Sequence, residues 1–334
     1  MNINEIGELE LAGLFFVMYL SKKMKYSNMN ITKHFVLICF FLLPINILAQ
    51  SDSSGIKLLG KEGYIEVLQG NMPLVISIPH GGYLLPDEIP ERPCSNCAKH
   101  QDIFTIEIGI AIRNSIFQMT GFYPYVVINN LHRTRLDPNR NVGEAADGNK
   151  NAELVWSEFQ NSIDTANAQV TKRFGKGLYI DLHGHRHDIK RTELGYLLSS
   201  EELQLEDDFL NSESFVEYSS IRNLIGKNLH SYSYSELVRG GSSLGSLLEE
   251  NGYPCVPSLK QPFPKPEEPY FSGGYNTTRH GSSSGGTIDG IQIELDENLR
   301  SDLKKRDKLT TDLASVLIEY LKIHYFPEFD FGSK

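Results

Sequence analysis

Residues 177–188 read GLYIDLHGHRHD. The first seven form a short, largely apolar run of the kind that makes a strand covered on both faces, and the run ends on a histidine. Comparable runs lie at 73–79 (PLVISIP), 125–129 (YVVIN), 195–198 and 290–295 (GIQIEL). Between them, apolar residues recur at helical spacing over 102–119, 151–174, 215–230 and 244–251. A closing helix is predicted over 302–324, with Leu309, Leu313, Val316, Leu317 and Leu321 on one face. Strands that alternate with helices predict an α/β fold in three layers, a mainly parallel or mixed sheet flanked by helices. Segments 261–269 and 281–286, rich in Pro and in Gly and Ser, read as loops. No repeat or linker divides the chain after residue 50, so 51–334 is expected to form a single α/β domain.

The 334 residues are 40% hydrophobic and 22% charged, which excludes a disordered or fibrous chain. A net charge of −10 gives no general attraction to nucleic acid or to an anionic membrane surface. The expected partner is a small molecule, with membrane contact only through the amino terminus. There, residues 35–45 (FVLICFFLLPI) follow Lys22, Lys23, Lys25 and Lys33 and precede Ala49. A basic stretch, a short apolar core and a small residue make a secretory signal pattern, with cleavage near 49–50. The run falls short of the ~20 apolar residues of a transmembrane helix. Residues 1–50 are therefore set apart as a targeting segment, and the remainder is expected to be exported to the periplasm or beyond. In such a protein Cys94 and Cys97 read as a local disulfide, and Cys255 as a buried apolar residue.

The chemistry-bearing residues gather after the predicted strands, where open α/β sheets bind ligands. His80 follows 73–79 directly, in PHGG, whose glycines let the backbone turn and approach a ligand. His183, His185 and His187 alternate along DLHGHRHD. Imidazole is a common zinc ligand, and three protein ligands with one open position make the usual catalytic zinc site. His183, held at a strand end, is the strongest candidate. Asp181 or Asp188 is placed to orient a ligating imidazole. Residues 130–140 (NLHRTRLDPNR) bring Arg133, Arg135 and Arg140 into an acidic chain, where they could clamp a carboxylate or pair with Asp137. Glu294 sits inside an apolar strand and needs either a partner or a task; beside a metal it could serve as general base. GSSLG at 241–245 lacks the preceding strand of a nucleophile elbow, and no phosphate-binding glycine motif is present.

Taken in order, SIPHGG (77–82), RTRLDPNR (133–140), DLHGH (181–185), SGGYNTTRHG (272–281) and IQIELD (291–296) resemble the N-formylglutamate amidohydrolase family. The resemblance spans about 70–300. It implies a phosphorylase/hydrolase-like fold, shared with zinc carboxypeptidases and aspartoacylase-like hydrolases, and one Zn2+ per chain. It also implies cleavage of a C–N amide bond beside a carboxylate. His80 and His183 then correspond to metal ligands, Arg133 to the arginine that polarises the scissile carbonyl, and Glu294 to the catalytic glutamate. Asn139 and Arg140 match the pair that holds the substrate carboxylate, and Tyr275, after Gly274, implies a substrate contact. Carboxypeptidase-like enzymes use His-x-x-Glu, but position 83 is Tyr. The third ligand is therefore expected to be Asp102, with Glu107 and His185 as alternatives. N-acyl amino acids, short peptides and cell-wall fragments all fit as substrates. The other readings are a carboxypeptidase-like exopeptidase or cell-wall amidase, and a non-catalytic, zinc-dependent carboxylate-binding protein.

Overall fold

In the computed structural model, which describes residues 54–328, β-branched and leucine-rich segments make one mixed sheet. Its strands are β1 (Lys57–Leu59), β2 (Ile65–Leu68), β3 (Leu74–Ile78), β4 (Tyr125–Asn129), β5 (Gly177–His185), β6 (Thr192–Gly195), β7 (Cys255–Val256) and β8 (Ile288–Asp296). Their order is β1-β2-β4-β3-β5-β8-β6-β7. The central β4, β3, β5 and β8 run parallel. β2 pairs antiparallel with β4, and β6 antiparallel with β8. Three long helices flank the sheet: α1 (Thr105–Thr120), α2 (Lys150–Phe174) and α3 (Leu303–His324). The residues read as a signal, 1–50, lie outside the described ones. Among the described residues no helix is long and apolar enough to cross a membrane.

Strand alternation divides the sheet into two unlike faces. Leu74, Ile76 and Ile78 of β3, Leu178, Ile180 and Leu182 of β5, and Ile291, Ile293 and Leu295 of β8 join α1 and α3 in the larger core. Val75, Tyr125, Val127 and Tyr179 point the other way, onto α2 through Val155, Phe159, Ile163 and Val170. Toward the carboxyl ends of the strands, this second face turns polar. Ser77, Asp181, His183, Gln292 and Glu294 occupy the alternate positions there, all buried. What reads as a continuous apolar run in β5 and β8 is therefore an alternation of aliphatic and chemically active residues.

Winding explains where ligands can enter. The chain leaves β3 through α1 to β4 on one side, then crosses by α2 to β5 on the other side of β3. The two crossovers lie on opposite faces, so the carboxyl ends of β3 and β5 flank a topological switch point, where an open α/β sheet leaves a crevice. His80 follows β3, and His183 lies near the end of β5.

Several elements differ from the sequence expectation. The strand placed at 195–198 is Thr192–Gly195 instead, because it is fixed by pairing with β8 and β7, and the chain then leaves the sheet with Leu197 at φ 67°. The helix over 215–230 is two short ones, Glu213–Tyr218 and Arg222–Lys227. They are separated because the Ser220 carbonyl accepts from the Gly290 and Ser282 amides rather than continuing a helix. In GSSLG, Ser243 is buried and caps helix Leu244–Glu250 by accepting from the Ser246 amide. Cys94 and Cys97 are disulfide-bonded, and Cys255 is free and buried.

Candidate metal centre

The PHGG turn brings His80 inward because glycine permits a close approach. A Cβ on Gly82 would lie 2.4 Å from the Asn130 carbonyl oxygen. After the turn the chain runs to α1, and the Asp102 amide donates to the His80 carbonyl, which fixes Asp102 beside the imidazole. Three atoms converge. His80 Nδ1 and Asp102 Oδ2 are 3.3 Å apart, His183 Nδ1 and Asp102 Oδ2 3.2 Å, and the two Nδ1 atoms 3.1 Å. All three residues are buried, and together they form a group able to hold a metal ion.

The outer nitrogens decide what this triangle can bind. His80 Nε2 lies 2.7 Å from Asp137 Oδ1, and His183 Nε2 lies 2.8 Å from Asp181 Oδ2. Carboxylates only accept, so each ring donates its Nε2 proton and, when neutral, turns the Nδ1 lone pair inward. Two lone pairs and a carboxylate oxygen then face one another, an arrangement that demands a cation or a proton. Nitrogen and oxygen ligands on a tetrahedral zinc lie roughly 3.3 Å apart, the spacing found here. The donor set thus fits a divalent cation, with an aspartate behind each imidazole as metal-ligating histidines require.

Electrostatics follow the geometry. Burial pushes the Asp102 carboxyl up, but hydrogen bonding from His183 and His80 outweighs it and leaves the group below the usual carboxylate range. Asp137 is likewise held well down, by His80 with Arg133 and Arg140 against its burial. Burial pushes the His183 imidazole down, yet Asp181, Glu294 and Asp102 together hold it well above its ordinary value. Glu294 behaves in the opposite way. Burial, with Asp102 and Glu193 adding to it, raises its carboxyl to about 8 against the opposing pull of His183 and Arg133. The Gln292 amide donates to it at 3.0 Å.

The triangle opens into a cavity of about 460 Å3. His80, Asp102, Arg133, Asn139, Arg140, His183 and Glu294 all line it, and Tyr275 does not. The Tyr275 ring packs near Trp156 instead, with centroids 6.0 Å apart; Phe271, Gly273 and Gly274 form that wall. Arg133 places Nε and Nη2 on Asp137 Oδ2 at 3.0 Å and brings Nη1 within 3.8 Å of Asp102. Arg140 donates to the Asn139 carbonyl. The Asn139 side chain is anchored through its oxygen, which accepts from the Asn276 backbone amide at 2.9 Å, and its nitrogen lies 3.3 Å from His183 Nε2.

Sequence reading missed the role of Asp137, which it treated only as a partner for arginine; its spacing from His80 carries no signal. Of the two aspartates considered for His183, Asp181 lies behind the ring and Asp188 is exposed. Of the alternative third ligands, Glu107 does not line the cavity. His185 does, but it spends its nitrogens elsewhere: Nε2 donates to the Arg191 carbonyl, and Nδ1 accepts from the His187 amide. His185, His187 and Glu193 make a second group with metal-ligand chemistry. These contacts, with His187 Nδ1 3.0 Å from Glu193 and the Phe271 amide donating to Glu193, tie it into the cavity rim.

No family model matches the chain, and no curated protein matches it. Solved structures with partial likeness include an N-formylglutamate amidohydrolase from Ralstonia eutropha JMP134, at 13% identity, covering 78% of this chain and 98% of that one with a TM-score of 0.49. The gene product Atu2144 from Agrobacterium tumefaciens has 10% identity over 78% of this chain and 94% of its own, with a TM-score of 0.48. A zinc-free form of YndL has 14% identity over 80% and 93%, with a TM-score of 0.33. Likeness at this level says nothing about chemistry, which must be read from the site itself.

Proposed function

We propose that the protein is a zinc-dependent hydrolase of a C–N amide bond in an N-acyl amino acid, of the N-formylglutamate type, or a related substrate bearing a carboxylate. One observation carries this reading: two imidazoles and a carboxylate from distant parts of the chain converge within 3.3 Å, and a buried glutamate lines the same cavity. His80, Asp102 and His183 would hold the cation, one per chain, which when bound supplies Lewis acidity toward a water and a carbonyl oxygen. Glu294, which lines the same cavity, takes the proton of the attacking water and delivers it to the departing nitrogen. Arg133 lends its charge to the oxyanion that develops at the carbonyl. Arg140, at the cavity wall, fixes the substrate carboxylate, while Asn139 holds the wall in place.

Export and signal cleavage near 49–50 belong to the same proposal, supported by the Cys94–Cys97 bridge, which suits an oxidising compartment. The partner remains a small molecule, an N-acyl amino acid or short peptide. Incubating zinc-loaded protein with N-formyl-L-glutamate and with a short peptide, and detecting the freed amine, tests the reading. Release from the first supports it, and release only from the peptide points to an exopeptidase. Binding of zinc and substrate without release from either points to a carboxylate-binding protein.

A further inference from the structure

Residue 160 is a glutamine, 1% exposed, on the face of α2 that otherwise buries Val155, Phe159 and Ile163. A buried amide must find partners, and this one finds three. Its Nε2 donates to the Pro138 carbonyl at 2.8 Å and to Asn276 Oδ1 at 3.0 Å, and its Oε1 accepts from His280 Nε2 at 2.6 Å. Two of these partners, Pro138 and Asn276, lead to the metal triangle. Pro138 lies between Asp137, which holds His80, and Asn139, which touches His183. Asn276 extends its side-chain nitrogen to within 3.4 Å of Asp181 Oδ1, the carboxylate behind His183, and its backbone amide donates to Asn139.

The placement follows from helical spacing. Gln160 and Asp164 are one turn apart on α2, and Asn276 and His280 are one turn apart on the short helix Tyr275–His280. The two helices face each other, so the pairs interlock. Asp164 Oδ1 lies 3.0 Å from His280 Nδ1 at the outer end, and Asn276 meets Asp181 at the inner one. Gly274 admits the contact, since a Cβ there would lie 2.5 Å from the Asn139 side chain. This accounts for the SGGYNTTRHG segment, whose buried polar residues face the sheet rather than the cavity.

We propose that Gln160 is a positioning residue that fixes, through Pro138 and Asn276, both of the aspartates that orient the two ligand imidazoles. The inference rests on the metal reading of His80, Asp102 and His183. Partners of this kind typically change metal affinity about tenfold to a hundredfold. The test measures Zn2+ affinity by chelator competition, together with the melting temperature of the metal-free and zinc-loaded protein. It compares wild type, Gln160→Met, Asn276→Ala and, as a purely apolar control on the same helix, Val170→Ala. Gln160→Met keeps the volume and removes the hydrogen bonds. It is expected to weaken zinc binding about tenfold or more and to shrink the zinc-induced rise in melting temperature. Val170→Ala should lower both melting temperatures and leave the rise unchanged. Asn276→Ala should weaken zinc binding in the same direction, and it serves if Gln160→Met does not fold. Affinity within about threefold of wild type in either folded variant, against the tenfold expected, overturns the inference. If wild type takes up no zinc, the metal reading falls and this inference falls with it.

Discussion

Glu193 and Glu294 stand opposite one another across the antiparallel β6–β8 ladder, and His183 is the register partner of Glu294 on its other side. Two buried carboxyls and an imidazole thus lie in one row across the sheet. The row helps to set the Glu294 carboxyl near 8, where burial is the largest cause. An acid raised in the folded state keeps its proton there after the unfolded chain has lost it. Between about 4.5 and about 8 the folded chain therefore binds more protons, and the stability this group contributes is lost as pH rises through that window. The melting temperature of metal-free protein should fall across this range through this group, and Glu294→Gln should flatten the fall. An identical slope in the variant, read by calorimetry at stepped pH, would assign the effect elsewhere.

The same substitution separates base from ligand. Glu294→Gln should leave zinc stoichiometry at wild type while turnover drops by roughly 10²- to 10⁴-fold, the usual contribution of a general base. Elemental analysis and an amine-release assay on one preparation check both halves. Retained turnover would remove Glu294 from the chemistry.

Zinc uptake should weaken on acidification, and over a window that reaches above the ordinary imidazole range. Asp181, Glu294 and Asp102 hold the His183 proton tightly, so the cation must displace it. Competition titrations at a series of pH values are expected to show affinity rising with pH through and beyond neutrality. A flat profile would mean that His183 is not a ligand.

Arg140→Ala should raise KM by roughly ten- to a hundredfold with a smaller change in kcat, the value of one charge-assisted hydrogen bond. The effect is expected only with substrates whose α-carboxylate is free. Comparing N-formyl-L-glutamate with its α-amide measures this, and equal losses on both would show that Arg140 supports the fold of the cavity instead.

Arg300 is fully buried and donates to the carbonyls of Leu295, Ile103 and His185. It ties the ends of β5 and β8 to the segment that carries Asp102. Arg300→Leu orphans three carbonyls and should destabilise the fold by at least about 3 kcal/mol. Urea unfolding provides the measurement, and a loss under ~1 kcal/mol would show that water replaces the guanidinium.

The strands with long aliphatic runs and the three long helices were legible because their periodicity is a local property. β1, β2 and β7 were not: each is two to four residues long and is defined only by the neighbour it pairs with. His80 and His183 stood out as candidates because one follows a strand and the other lies near the end of one, and Asp102 became a candidate once the resemblance called for a third ligand. Asp137, Gln160 and Asn276 act through contacts that span 57, 116 and 95 residues of sequence, which no pattern along the chain reveals. Tyr275 shows the converse. Its segment was recognised, but helical phase turns Asn276 and His280 inward and leaves the tyrosine against Trp156.

The separation of the sheet into an aliphatic side under α1 and α3 and an ionisable side under α2 makes the protein divisible for engineering. Side chains such as Ile76, Ile180 and Ile293 face away from the triangle, so repacking them for thermal robustness is expected to spare its polar contacts. Changes to the polar positions beneath α2, such as Gln160, have no such latitude, since they bear on the hydrogen bonds that run to Asp137 and Asp181.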